Sequence, residues 1–242
     1  MFVGEGQCDL GITGLDQIKE AAMWESVDDL LDLKFGSCKL QIQVPEQSDL
    51  TEPKQLVGKK IVTSFTKLTN DYFKELEGKQ DIETTVRYVG GSVEASVALG
   101  VGDAIVDLVE SGETMRAAGL KPIETILATS AHLVASRQSK HPELIKIVMQ
   151  RLEGVLAAQK YVYCSYNAPR AILQEALKIT PGRKTPTISA LESTHHDGQT
   201  SEDQWIAVNA MVEKANIGNI MDNLKKIGAT DIIVFEMSNC RV

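Results

Sequence analysis

The residues best suited to chemistry lie in one run, Gly102 to Thr114, which reads Gly-Asp-Ala-Ile-Val-Asp-Leu-Val-Glu-Ser-Gly-Glu-Thr. An apolar stretch of buried-strand length, Ala104 to Val109, carries Asp107 near its end and passes through Ser111-Gly112-Glu113-Thr114 into a short helical segment closed by Gly119. Successive backbone N–H groups in such a turn form a cradle for an anion, and the start of a helix adds partial positive charge. Gly112 allows close backbone approach, Ser111 and Thr114 offer hydroxyls, and Glu113 and Met115 add further main-chain N–H groups. A carboxylate at Asp107, just before the cradle, is placed to accept hydrogen bonds from sugar hydroxyls, so the pattern suits a ribose 5-phosphate. The competing reading is an ordinary helix cap of Ser-x-x-Thr or Thr-x-x-Glu type. Acidic residues flanking the turn favour a ligand, because carboxylates there are costly without a partner.

The elements that must position this run alternate between strand and helix. Lys39 to Val44 alternates polar and apolar strictly, the mark of a half-buried strand. Asp9 to Ile12, Lys60 to Phe65 and Ile82 to Val89 read as strands, and His141 to Lys160 as the longest amphipathic helix. This alternation predicts an α/β protein with largely parallel sheets. After Lys160 the character changes: strand Trp205 to Val212, helix Ile217 to Ile227, Gly228 and strand Asp231 to Met237 form a compact β-α-β unit. A length of 242 residues leaves room for two or three domains.

Composition excludes some partners. With 25 basic and 33 acidic residues the formal charge is −8 and there is no long basic run, which argues against nucleic acid. There is no apolar run of membrane-spanning length, and the N-terminus does not read as a signal peptide, so a cytoplasmic location is expected. The four cysteines are scattered without CxxC spacing and are expected to be reduced thiols, mostly in the core. Neither they nor the four histidines have metal-ligand spacing. His195 and His196 point in different directions if extended, and Glu192 to Asp203 reads as an exposed polar loop.

Several segments also resemble one family. Val106 to Leu120 (Val-Asp-Leu-Val-Glu-Ser-Gly-Glu-Thr-Met-Arg-Ala-Ala-Gly-Leu) resembles the phosphoribosyl pyrophosphate (PRPP) signature of ATP phosphoribosyltransferases. Gly90-Gly91-Ser92-Val93-Glu94 resembles that family's Gly-Ser-Val-Glu turn, and Cys8 to Gly14 its Asp-Leu-Gly-Ile-Thr-Gly segment. Phe235 to Val242 resembles the C-terminus of the long, histidine-inhibited fungal form. The motifs occur in order along the whole chain.

The resemblance implies a catalytic region like type II periplasmic binding proteins, with two hinged α/β lobes, followed by an α+β, ACT-like regulatory domain. The lobes are expected over residues 1–44 with 131–160 and over residues 45–130, and the regulatory domain over 161–242. The implied reaction joins ATP to PRPP, forming N1-(5-phosphoribosyl)-ATP and pyrophosphate, the first step of histidine synthesis, with Mg2+ bridging phosphates. Ser111 to Met115 would hold the 5-phosphate and Asp107 the ribose hydroxyls. Glu94 and Asp103 are further candidates for orientation or metal contact, against the alternative of solvated carboxylates. Thr63 and Ser64, ending a strand, are candidates for ATP contact or a simple turn. Inhibitory histidine would lie near Asn167, Thr185, Thr187 and Asp231, and a homo-oligomer, dimer to hexamer, is expected.

Family members open with a strand, a Lys-Gly-Arg-Leu-type loop and an Arg-rich stretch. This sequence starts at Met1-Phe2-Val3-Gly4, in the middle of that first domain, so roughly sixty residues are expected to be absent. Two other readings stand beside the enzyme: a non-catalytic two-lobed protein binding a small metabolite, and a catalytically silent form that still binds histidine.

Overall fold

The computed structural model describes residues 1–78, 82–191 and 204–241. The His195-His196 run lies outside them. The chain forms two compact units, Met1–Met149 and Gln150–Val242.

The first unit contains β1 (Leu10–Gly14), α1 (Leu15–Glu20), β2 (Val27–Asp32), β3 (Cys38–Pro45), β4 (Lys60–Thr63), α2 (Thr66–Glu77), β5 (Thr85–Tyr88), α3 (Ala95–Ala98), β6 (Ala104–Val109), α4 (Glu113–Ala117), β7 (Leu120–Thr129) and β8 (Ala131–Ser136). α5 (Pro142–Lys160) spans the division between the units. There are two sheets, one in the order β1-β8-β2 and one in the order β5-β4-β6-β3-β7.

The expectation of largely parallel sheets is corrected. Among the described residues, only the β4–β5 and β4–β6 ladders are parallel. These strands are linked by connections long enough for a crossover, through α2 and α3, as parallel pairing requires. β3 and β7 are long strands that carry the chain into and out of the larger sheet, and both of their ladders there are antiparallel. The three-stranded sheet is wholly antiparallel.

The expected lobe boundary after residue 44 is also corrected. β3 pairs with both β6 and β7, so it belongs to the larger sheet. The chain crosses between the sheets after Asp32 and before Cys38, and returns at Ser130, between β7 and β8. Leu40, Ile42 and Val44 are fully buried in the core of the larger sheet, beside Leu56, Ile61, Phe73, Ala104 and Val106. Ile105 faces the other way, into a second cluster with Val62, Val93, Met115 and Leu120. β6 is therefore covered on both faces, which is why it reads as an unbroken apolar run.

In the second unit, β9 (Tyr161–Pro169), α6 (Leu173–Ile179), β10 (Thr187–Ala190), β11 (Trp205–Glu213), α7 (Ile217–Lys226) and β12 (Thr230–Glu236) form an antiparallel sheet in the order β10-β11-β9-β12. This is the β-α-β-β-α-β arrangement of ferredoxin-like folds. The C-terminal β-α-β unit is present, but β9 inserts between its two strands. Alternate residues Val162, Cys164, Tyr166 and Ala168 of β9 pack into the core with Ile206, Val208 and Leu224. Gly154 of α5 accepts the N–H of Cys240 at 3.2 Å, and a Cβ at Gly154 would collide with the Cys240 carbonyl. Of the four cysteines only Cys164 is buried, and Cys8 is exposed; the expectation that most lie in the core is corrected.

Candidate functional site

The turn after β6 is built around Gly112, whose φ of 76° lies in the left-handed region that a residue with a Cβ adopts only at a cost. A Cβ there would come within 2.8 Å of Nη1 of Arg116. The Glu113 N–H donates to Ser111 Oγ at 3.3 Å, and Arg116 Nη2 donates to the Ser111 carbonyl at 3.3 Å. Among the described residues, the N–H groups of Thr114 and Met115 have no protein acceptor. The Met115 side chain packs into the core behind the turn, with its end beside Gly112.

This turn opens on a cleft of about 460 Å³. Val109 to Gly112, Met115 and Arg116 form one wall, and Ser37 to Lys39, Gln41, Leu15 and Ala128 to Ser130 form the rest. Lys39 and Arg116 supply positive charge, and Glu110 stands among them. Asp107, Glu113 and Thr114 are not part of the wall. Asp107 lies one strand step further in, opposite the cleft residue Gln41 in the β3–β6 ladder and on the same face of β6 as Val109. Burial pushes its carboxyl up, the Leu108 N–H at 2.8 Å pulls it down, and the negative charge of Glu94 raises it. Glu94, half-buried just ahead of α3, is thus an electrostatic neighbour of Asp107.

Two expected site residues serve the fold instead. Asp103 lies at the opposite end of β6 from the turn, about 20 Å away for six strand residues. Its carboxylate accepts the Lys60 N–H at 2.9 Å, and its own N–H donates to the Lys60 carbonyl at 2.8 Å, which fixes the start of β4 beside β6. Thr63 is fully buried; its hydroxyl donates to the Val106 carbonyl at 2.7 Å and accepts the Phe65 N–H at 2.9 Å. Its only proton is spent and it is shut off from solvent, so it is not placed to contact ATP. Ser64, next to it, is half-buried.

In the second unit, Asn167 Nδ2 and Thr230 Oγ1 each donate to Asp231 Oδ2 at 3.0 Å. Asp231 has a φ of 49° and sits in an irregular part of the β9–β12 ladder. Thr185 and Thr187 are exposed. Thr187 is on β10, and β11 separates it from Asn167 on β9. Within one chain the four residues form two separate pairs.

Sequence reasoning did not select Lys39, Arg116 or Ser130. Lys39 lay in the alternating strand and Arg116 within the signature, but only the tertiary structure turns them toward one cleft. Among the described residues no group of three His, Cys, Asp or Glu side chains could hold a metal. A magnesium ion there would therefore depend on substrate phosphates, with at most one or two carboxylates from the chain, the usual manner for this ion.

The fold defines a two-lobed α/β protein with a cleft beside the turn after β6. One similar solved structure is the ATP phosphoribosyl transferase (HisG:HisZ) complex from Thermotoga maritima, at 24% identity and a TM-score of 0.52, covering 61% of this chain and 68% of that one. At that identity the likeness concerns fold alone. The family model for ATP phosphoribosyltransferase matches residues 1–154, and that for the HisG C-terminal domain matches residues 158–239. Curated ATP phosphoribosyltransferases of Debaryomyces hansenii and Saccharomyces cerevisiae are 66% and 54% identical, each over 100% of this chain and over 79% and 78% of their own lengths. The chain belongs to the ATP phosphoribosyltransferase family.

Proposed function

We propose that the cleft of residues 1–149 carries out the family's reaction, joining N1 of the adenine in ATP to C1 of the ribose in PRPP and releasing pyrophosphate. The turn at Ser111 to Arg116, opening on a cleft that also holds Lys39, is the observation that supports this most directly. Main-chain N–H groups of Thr114 and Met115, with Ser111 and Gly112, hold the 5-phosphate. Asp107, on the cleft-facing side of β6 next to Gln41, anchors the ribose hydroxyls, and Glu94 keeps its carboxylate basic. The transition state has oxocarbenium character, as in glycosyl transfer generally, so the chain's task is to align two polyanions and exclude water. Magnesium, when bound through the phosphates, neutralises the departing pyrophosphate. Identity to named transferases along the full chain favours this reading over a non-catalytic metabolite-binding protein.

The second unit is proposed as an ACT-like histidine sensor of a cytoplasmic homo-oligomer. The topology of its sheet supports this. So do Tyr163, Trp205, Ile233 and Phe235, exposed apolar side chains of that sheet suited to a symmetric contact. The Asn167–Asp231 pair is the proposed receptor for the amino group of histidine, with Thr185 and Thr187 offering hydroxyls to its carboxylate.

The test is direct. The chain is mixed with ATP, PRPP and magnesium, and phosphoribosyl-ATP is followed by absorbance. Turnover that disappears in Gly112→Val supports the assignment; turnover unaffected by that change defeats the loop's role.

A further inference from the structure

Four polar groups meet where the chain passes between the two sheets of residues 1–149. Ser130 is the single residue between β7 and β8, and it lines the cleft. Its Oγ lies 3.1 Å from Nε2 of His132 and 3.2 Å from Oδ1 of Asp32. Nδ1 of His132 lies 2.8 Å from Oδ1 of Asp29. Both carboxylates come from β2, where Asp32 stands opposite His132 in the β2–β8 ladder. On the other side, β1 places the uncharged Thr13 opposite His132. Lys34 donates to Asp32 twice, from Nζ at 2.6 Å and from its N–H at 2.8 Å. These bonds, with a smaller contribution from Ser130, hold the Asp32 carboxyl down to about 2. His132 is buried, and the reaction scheme above uses none of these groups.

Proton accounting limits what the cluster can do. Asp29 fixes a proton on Nδ1 of His132, so the state of Nε2 decides the direction of the Ser130 hydroxyl. A neutral His132 presents a lone pair at Nε2 and takes the hydroxyl proton for itself. A charged His132 donates from Nε2 to the Ser130 oxygen. The hydroxyl proton is then free to reach Asp32 or a ligand oxygen in the cleft.

We propose that Ser130 is a substrate-contacting residue that donates its hydroxyl to an anionic phosphate oxygen of PRPP, and that His132, held by Asp29, is the positioning residue that turns this hydroxyl outward. The proposal rests on the reading of the cleft as the PRPP site. Lys39 and Arg116 line the same cleft and draw in the polyanion. The phosphate oxygen replaces Asp32 as acceptor of the hydroxyl proton, while Nε2–H of His132 supports the serine oxygen from behind.

The experiment is calorimetric titration of the full chain with PRPP. Ser130→Ala is expected to weaken binding about tenfold, the scale of a lost hydrogen bond to a charged group. In His132→Gln the side-chain amide reaches the position of Nε2, so affinity should stay within about threefold of wild type. In His132→Leu, which offers no donor at that place, affinity should fall about as far as in Ser130→Ala. Unchanged affinity in Ser130→Ala or in His132→Leu, or a loss in His132→Gln equal to that in His132→Leu, overturns the proposal. Should a variant fold poorly, nitrogen NMR of wild-type histidines decides: the chain has 4, and Nε2 of His132 must carry a proton in the complex with PRPP. A lone pair that persists overturns the proposal. Gly112→Val is titrated in parallel. Loss of binding there with none in Ser130→Ala removes the role of Ser130 alone. No PRPP binding by wild type, or binding undisturbed in both variants, removes the cleft reading with it.

Discussion

Gly112 and Asp107 show two ways in which a single residue of the proposed PRPP site gives up stability. Any Cβ at position 112 must adopt a left-handed backbone, at roughly 1–2 kcal/mol, and must also push aside the Arg116 guanidinium. Gly112→Val should therefore lower the melting temperature modestly and weaken PRPP binding well beyond that strain, as titration of the folded variant can show. At Asp107, burial raises the carboxyl above its ordinary value, so the folded state binds the proton more tightly than the unfolded chain does. Its contribution is then most favourable at low pH and declines as pH rises from the ordinary carboxylate range through the raised folded value. Asp107→Asn should stabilise the ligand-free protein at neutral pH, with the advantage vanishing in acid, while PRPP affinity falls. Thermal melts across pH together with titration check both halves; equal or lower stability of the variant at neutral pH would contradict the burial argument. Asp32 behaves oppositely. Its carboxyl is held down by Lys34, so its contribution is present above the ordinary carboxylate range and is lost as pH falls toward about 2.

At the scale of elements, α2 has no side-chain cap of its own, because Phe65 occupies that position. The cap comes from α1. Glu20 accepts the N–H of Lys67 at 2.8 Å and that of Leu68 at 2.9 Å, and the Thr66 hydroxyl at 3.3 Å. A carboxylate at a helix N-terminus satisfies otherwise unpaired donors and meets the positive end of the helix dipole. Glu20→Ala is expected to cost about 0.5–2 kcal/mol, and Glu20→Gln less, since it keeps one acceptor. Urea unfolding of the three proteins measures this, and an Ala variant as stable as wild type would show that water caps α2 equally well. Elements also differ in how readable they were. β6 was legible from Ala104 to Val109 because both of its faces are buried. β2 was not, because Val-Asp-Asp-Leu-Leu-Asp is rich in a residue disfavoured in strands. Two of those aspartates are the partners of His132 and Ser130.

For the molecule as a whole, the second unit has its own core and its own sheet. It is expected to bind histidine whether or not the first unit turns over substrate. Asp231→Ala removes the carboxylate that Asn167 and Thr230 hold in place and should weaken histidine binding about tenfold or more. Coupling must be reciprocal: the factor by which histidine changes PRPP affinity equals the factor by which PRPP changes histidine affinity. Histidine titrations with and without PRPP test this. Heat of binding absent from a folded wild-type chain would remove the sensor assignment while leaving the PRPP cleft untouched.

The sequence by itself determined the α/β class, the order of most strands and helices, and the glycine turn after β6. Each of these is local: a periodicity, a glycine with a required backbone conformation, or a motif within fifteen residues. Tertiary structure alone decided which polar residues line the cleft. Thr63, Asp103 and Ser130 all stand at strand ends and look alike in sequence. One is fully spent on its neighbours' backbone, one pins a strand at the far end of the sheet, and one opens into the cleft. It also decided where the chain crosses between sheets, because strand pairing, not the proline after β3, assigns that strand to the larger sheet. The physical reason is the same in both cases: a hydrogen-bonding group is defined by its partner, and these partners lie dozens of residues away.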